Sequence, residues 1–320
     1  MKKFLSVAAV ASLLVSFQVE AADAYPSRPV RVIVPFAPGG FTDVVARVVA
    51  QQLSSGLGQP FVIENKPGAG STIGTDFVAK SAPDGYTLEI VGMNHVTSHR
   101  LYKDLQYDPL KSFTPITKLV DSPFVLFVNE SLPVNSVAEL VDLSKGDQPI
   151  RYASSGNGST QHLMGALFLA KSGAKMEHVP YRGSGGAMKD LAAGFVETGF
   201  AAVANGLPHV KTGKIKALGV TSAQRNALVP TVPSLEEAGV KGYDALIWLG
   251  LVGPAGMPTD IVTRLNDAVR TGLSKPEARE ALAAAGVDVS LSTPDELAQH
   301  MARENDMWGE VIQAIDIRID

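Results

Sequence analysis

Four times in this chain an apolar, β-branched run breaks at a glycine-rich turn that leads straight into a helical pattern. Val30-Arg31-Val32-Ile33-Val34-Pro35-Phe36 reads as a buried strand, and Ala37-Pro38-Gly39-Gly40 breaks it. Val44, Val45, Val48, Val49 and Leu53 then recur at the spacing of one helix face. The order repeats with Phe61-Val62-Ile63-Glu64, the loop 65–71 and a short helix through Phe77-Val78-Ala79, and Thr87-Leu88-Glu89-Ile90-Val91 follows as a third strand. Farther on, Ile150-Arg151-Tyr152-Ala153 leads through the loop 154–160 into a helix face of Leu163, Met164, Leu167 and Phe168. His178-Val179-Pro180-Tyr181 leads likewise into Arg182-Gly183-Ser184-Gly185-Gly186. Strands alternating with helices predict an α/β fold with mostly parallel sheets flanked by helices.

The pattern restarts near Phe124-Val125-Leu126-Phe127-Val128, after which Ser136 and Glu139 form a capping box. Ile215-Lys216-Ala217-Leu218-Gly219-Val220 reads as a strand, and Ser234 with Glu237 predicts a further capped helix. The tail holds at least two helices, one from near Thr259 and one at Thr293-Pro294-Asp295-Glu296, where proline takes the first helical position. Two similar halves joined by two crossings place 25–124 with 248–320 in a discontinuous first domain and 125–247 in a second. The cleft between them is the natural place for a ligand.

Lys2 and Lys3 precede an apolar run from Phe4 to Phe17, followed by the small residues Val19, Ala21, Ala22 and Ala24. This predicts a secretory signal over 1–24, shorter than the ~20 apolar residues of a spanning helix, with cleavage after Ala21 or Ala24. A periplasmic protein without direct membrane insertion is expected. With 28 Lys and Arg against 32 Asp and Glu, the net charge of −4 argues against a nucleic-acid partner. The absence of cysteine removes disulfides, thiol catalysis and Cys-ligated zinc.

At a strand–glycine–helix junction the first helical N–H groups are unpaired and the helix dipole is positive, so backbone donors hold an anion without a counter-charge. In the first turn this points to Gly39, Gly40, Phe41 and Thr42, with Asp43 capping and orienting the loop. In the second, Gly68, Ala69, Gly70 and Ser71 offer donors. In the other half Ser154, Ser155, Gly156, Asn157, Ser159 and Thr160 bring hydroxyl and amide groups, and Arg182, with Gly183 and Ser184, is placed for a second anionic group. His95 follows a strand end and is a candidate donor to a ligand. His95 and His99 stand four apart, but without a nearby carboxylate they do not make a metal site, so no metal or cofactor is expected. No G-x-S-x-G elbow or phosphate-binding lysine loop occurs, which weakens hydrolase and nucleotide readings. A secreted hydrolase using Ser155 or Ser159 with His162, and a sensor module for a membrane kinase, are the alternatives. Phe36, Phe41, Phe200 and Trp248 are candidate walls for an apolar ligand body.

The segments Pro35-Phe36-Ala37-Pro38-Gly39-Gly40-Phe41-Thr42-Asp43-Val44-Val45-Ala46-Arg47 and Asn65-Lys66-Pro67-Gly68-Ala69-Gly70 closely resemble the Bug family of periplasmic solute receptors of tripartite tricarboxylate transporters. Pro83-Asp84-Gly85-Tyr86-Thr87-Leu88, Ser155-Gly156-Asn157-Gly158-Ser159 and Gly253-Pro254-Ala255-Gly256 extend the likeness along the chain. The resemblance implies a two-lobed Venus-flytrap binding protein of type II with two crossover hinges. It implies a receptor rather than an enzyme, a monomer that closes on a small organic carboxylate and presents it to the transporter's membrane subunits. It also implies that the first two loops clasp one carboxylate, Gly39 to Thr42 and Gly68 to Ser71, while the 154–160 and 182–184 segments set selectivity, with His95 beside them. Ala201-Ala202 stands where many relatives carry Asp, so the expected ligand has no amino group: a di- or tricarboxylate, or an aromatic acid.

Overall fold

The computed structural model describes residues 25–315, so the signal expected at 1–24 lies outside the described residues. Three strand–helix units open the chain: β1 (Val30–Val34) with α1 (Phe41–Leu57), β2 (Phe61–Asn65) with α2 (Thr72–Ala79), and β3 (Thr87–Gly92) with α3 (Met93–Leu101). The long strand β4 (Phe113–Asn129) and the short helix α4 (Val137–Leu143) follow. Three more units repeat the plan: β5 (Ile150–Ser154) with α5 (Thr160–Ser172), β6 (Met176–Pro180) with α6 (Ser184–Ala193), and β7 (Thr198–Ala202) with α7 (Val203–Lys211). Then come β8 (Ile215–Val220), β9 (Leu246–Pro254), α8 (Thr259–Leu273), α9 (Pro276–Ala284), β10 (Asp288–Val289) and α10 (Pro294–Ala314).

β2, β1 and β3 are parallel neighbours, as are β6, β5 and β7, so each lobe has a three-stranded parallel unit with helices in its crossovers. The antiparallel strands β4 and β9 join the two units. β4 pairs with β9 as far as Pro123 and with β7 and β8 from Phe124 onward, so one strand serves both lobes. Thr221 fastens that transition. Its Oγ1 accepts from the Phe124 N–H at 2.8 Å, and its carbonyl accepts from the Ala245 N–H at 2.9 Å where the chain returns to β9.

β4 starts eleven residues before the run that the sequence marked. Pro115, Lys118, Asp121 and Pro123 interrupt the apolar signal, and register shifts at Pro115/Thr117 and Lys118/Val120 let the ladder continue past them. The box at Ser234 and Glu237 does form, with the Glu237 N–H donating to Ser234 Oγ at 3.0 Å. It closes only a turn, because the chain leaves the helical region at Gly239, φ +100°. At Thr293 the box opens a true helix, with Pro294 in its first turn.

Val32, Val45, Leu53, Ile90 and Leu265 fill the first lobe's core, and Leu163, Phe168, Phe200 and Tyr243 the second's. α10 belongs to both. Leu297 and Met301 pack with Trp248, whereas Trp308, Val311 and Ile312 pack with Phe168 and Tyr243. Between them Glu304 Oε2 accepts from Trp248 Nε1 at 3.1 Å and from Trp308 Nε1 at 2.8 Å. Burial raises the Glu304 acid above the usual carboxylate range, against the pull of the two indoles.

Candidate functional site

All six parallel strands end at the space between the lobes, so the helices that follow them start there. Opening residues of α1, α2, α3, α5, α6 and α7, or the residues just before them, line one cavity of about 620 Å3. This is the carboxyl-end position where open α/β sheets take ligands, and its size lies within the ~300–1,000 Å3 of small-molecule sites. Among the described residues, no lysine or arginine lines it. Five of the six helices have no side-chain cap: α1, α2, α3, α6 and α7 begin after Gly40, Ser71, Gly92, Gly183 and Ala202 without a capping bond. Of the helices that start away from the cleft, α4 and α10 are capped by Ser136 and Thr293, whereas α8 and α9 are not. Uncapped N–H groups and like-oriented dipoles therefore supply the positive potential that side chains do not.

In the first lobe Asp43 ties the two loops together. It is buried, accepting from the Gly39 N–H at 2.9 Å, from Asn65 Nδ2 at 2.9 Å and from Arg47 Nε at 2.9 Å. Burial alone would raise its acid, but the Arg47, Gly39 and Asn65 bonds outweigh this and hold it down to about 2. Asn65 Nδ2 also lies 3.0 Å from the Phe36 carbonyl, so the end of β2 is stitched to the loop after β1. Phe41 and Thr42 line the cavity as a result. In the second loop Ala69 and Ser71 hold positive φ, 43° and 94°, which only a constrained turn sustains in residues with a Cβ. Ser71 lines the cavity, and its buried Oγ lacks a hydrogen-bond partner among the described residues.

Two buried titratable residues are among those lining the cavity. His95 is buried, and its Nε2 is 2.8 Å from the Pro109 carbonyl, which can only accept, so the ring proton sits on Nε2 and Nδ1 is a bare acceptor. Burial depresses its pKa to about 4 despite that contact, so the ring is neutral at pH 7. Glu89 is fully buried in β3, and burial pushes its acid up to about 8 against the opposing Thr75 contact.

In the second lobe Ser155 Oγ donates to Gln161 Oε1 at 2.7 Å, and Ser159 caps α5 by accepting from the His162 N–H. Ser155, Ser159, Thr160 and Ser184 line the cavity. Neither serine meets the His162 ring, whose Nδ1 accepts from the Gly158 N–H at 3.1 Å while the ring stacks on His178 at 3.6 Å. The Ser155/Ser159–His162 hydrolase arrangement is therefore not formed.

The remaining expected site residues stand off the cavity wall. Gly39 spends its N–H on Asp43; Gly40, Gly68, Ala69 and Gly70 shape the loops behind Phe41 and Ser71. Ser154 is turned inward to His178 Nε2 at 2.6 Å and to Gly156, whose N–H it accepts, and Asn157 is exposed. Arg182 is exposed and off the wall, since the N–H groups of Tyr181 and Gly183 on either side are bound to the Ser154 and Ser155 carbonyls. Gly183 lies beside it, off the wall too. Arg182→Ala should accordingly change carboxylate affinity less than about threefold by calorimetry; a loss beyond tenfold would put the guanidinium back in the site. Phe36, Phe41 and Trp248 line the cavity, while Phe200 is in the core against Phe168 at 6.0 Å.

Sequence reasoning missed Glu89, Asn94, Gln161 and Asn205, all on the wall. Asn94 and Asn205 open α3 and α7, the two junctions without a glycine-rich turn. The readable signal there was an asparagine in the first turn of a helix that directly follows a strand.

A cavity of this kind, between lobes joined by crossing strands, defines a periplasmic-binding-protein fold. The chain belongs to the tripartite tricarboxylate transporter receptor family: residues 45–317 match "Tripartite tricarboxylate transporter family receptor". BugT of Bordetella pertussis is 36% identical over 295 residues, 91% of this chain and 90% of that protein. An R. palustris protein solved with adipate superposes with TM-score 0.79 at 35% identity, covering 92% of this chain and 100% of the other. MatC from Rhodopseudomonas palustris, solved with bound malate, superposes with TM-score 0.76 at 34% identity, covering 90% of this chain and 100% of the other.

Proposed function

We propose that this chain is a periplasmic receptor that captures a small organic carboxylate without an amino group and delivers it to the membrane subunits of a tripartite transporter. The observation that carries the reading is the convergence of helix entrances from both lobes on one cavity that no lysine or arginine among the described residues lines. Such a site favours an anion by dipole and N–H donation, and it admits one whose body packs on Phe36, Phe41 and Trp248. Ala202 on the wall leaves an ammonium without a carboxylate from that strand end. The adipate and malate held by the two structural relatives are acids of the proposed class.

The lobes are 25–124 with 248–315, and 125–247. They close by bending where β4 changes partners at Pro123–Phe124 and where the chain returns at Ala245, a hinge motion that brings α5, α6 and α7 onto a ligand first held by α1 and α2. Screening mono-, di-, tricarboxylic and aromatic acids by thermal shift tests the reading. A cognate acid at about 100 times its Kd adds ~2.7 kcal/mol and raises Tm by roughly 5 °C. A screen in which no acid shifts Tm, while amines or sugars do, would overturn it.

A further inference from the structure

We propose that Gln161 is the residue by which the second lobe reads the far end of the ligand: its side-chain amide donates to a second carboxylate, so that the receptor selects diacids over monoacids of the same carbon skeleton. The inference rests on the carboxylate reading above and assigns its selectivity to one side chain.

Ser155 builds the spot. Its carbonyl accepts from the Gly183 N–H at 3.2 Å, which holds the entrance of α6 against the loop that leads into α5. Its hydroxyl donates to Gln161 Oε1 at 2.7 Å. With Oε1 held in this way, Nε2 leaves the opposite side of the planar amide with two protons to give, and it has no partner among the described residues. Gln161 is half-buried and lines the cavity, and its Nε2, unlike the enclosed Ser71 Oγ, is not shut off from solvent. Ser184, the first residue of α6, stands beside it: the two line the main cavity and also share a second cleft of about 10 Å3.

The other polar side chains on this lobe's wall do not discriminate. Ser159 Oγ is spent on the His162 N–H, and the hydroxyls of Thr160 and Ser184 donate or accept as a ligand requires. Asn205 is exposed and its amide is unanchored among the described residues, so it turns either end to a ligand. Gln161 presents a donor whose direction a neighbour has fixed.

A fixed donor asks for an acceptor, and its surroundings favour a charged one. Gln161 lies in the first turn of α5, and α6 begins close by after Gly183 with no side-chain cap, so the positive ends of two helices act on whatever the amide holds. An amide donates more strongly to a carboxylate than to a neutral oxygen. Arg182 is exposed and off the wall, so the second carboxylate meets the amide and not the guanidinium.

The test is calorimetry with matched pairs on the full mature chain: butanoate and succinate, pentanoate and glutarate, hexanoate and adipate, octanoate and suberate, benzoate and terephthalate, with the half-amide of each diacid. The variants are Gln161→Leu, which removes the donor at similar volume, Gln161→Glu, which keeps the acceptor for Ser155 and puts a negative charge in place of the donor, and Ser155→Ala. A glutamate suits the first turn of a helix, so Gln161→Glu carries the test if the leucine variant does not fold. The best-bound diacid should bind wild type about tenfold or more tightly than its monoacid and its half-amide. Gln161→Leu should lower the preference over the monoacid by about fivefold or more, and Gln161→Glu by about thirtyfold or more. Ser155→Ala frees the amide to turn without removing it, and should cost less of the preference than Gln161→Leu.

Monoacids or half-amides that bind wild type as tightly as the diacids, or a preference that both Gln161 variants retain, would overturn this inference and leave the receptor reading intact. A larger loss in Ser155→Ala than in Gln161→Leu would assign the contact to the serine hydroxyl and overturn it also. Binding of none of the acids by wild type would overturn both.

Discussion

Asp43→Ala is expected to unfasten both first-lobe loops, weakening carboxylate binding at least tenfold and lowering stability by ~2–4 kcal/mol. The side chain is 3% exposed and holds three donors from three places: the Gly39 N–H in the turn, Arg47 one helical turn on, and Asn65 at the end of β2. Alanine leaves the Gly39 N–H and one Asn65 proton unpaired and frees Arg47, whose side chain is half-exposed and returns to water. Most of the loss therefore falls on loop order, and Phe41 and Thr42 drift from the wall they make. Asp43→Asn, which keeps one acceptor and loses the charge, should lie between. The pH dependence has a definite sign. With the native acid held down to about 2, Asp43 contributes stability above the ordinary aspartate range, and that contribution is lost as pH falls toward 2. Denaturation at pH 7 and pH 3 with calorimetry measures both effects, and an alanine variant that binds and unfolds like wild type would remove Asp43 from this role.

The parts of this fold that show in the sequence are those in which one signal dominates. At β1–α1 and β5–α5 an apolar run, a glycine break and a helical stripe succeed one another without ambiguity, and the structure puts strand, loop and helix there. β9 was missed because Leu246-Ile247-Trp248-Leu249-Gly250-Leu251-Val252 is buried on both faces between β3 and β4 and so shows no alternation. The first half of β4 was missed because prolines and charges that a bulged strand tolerates look like a loop. The site divides in the same way. Phe41, Thr42, Ser71, Ser155, Ser159 and Thr160, which glycine-marked junctions singled out, line the cavity. Arg182, singled out for its charge in a glycine turn, is exposed and off the wall, since charge in such a turn says nothing about which way the side chain leaves the backbone. Glu89 was read only as part of a strand. That its carboxyl is buried against Thr75 of α2, and not solvated at an edge, depends on packing between elements that a strand pattern does not show.

Glu89 also gives the largest pH effect. Its acid stands at about 8 in the folded chain and near 4.5 when solvated, so between these values the native state keeps a proton that the unfolded state has lost. Stability from this group is fully present below about 4.5 and declines as pH rises to about 8, by on the order of 4 kcal/mol, and is level beyond. His95, His162, His178 and His300 act in the opposite direction. Burial holds each down to about 4, so they weaken the fold as pH falls below the ordinary histidine range. The difference between wild type and Glu89→Gln cancels the histidines: the variant's advantage should grow from pH 5 to pH 8 and then stop, measured by denaturant unfolding across that range. Parallel stability curves would mean that Glu89 is ionised in the folded chain. The groups beside it do not supply the change themselves, since Thr75 from α2 does not titrate and Tyr107 is pushed up to about 12 by burial. A neutral carboxyl beside a carboxylate site does not repel the ligand, whereas an ionised one does. Wild-type affinity for a carboxylate should therefore fall above pH 8 while that of Glu89→Gln stays constant, and a common pH profile for the two would separate Glu89 from the bound anion.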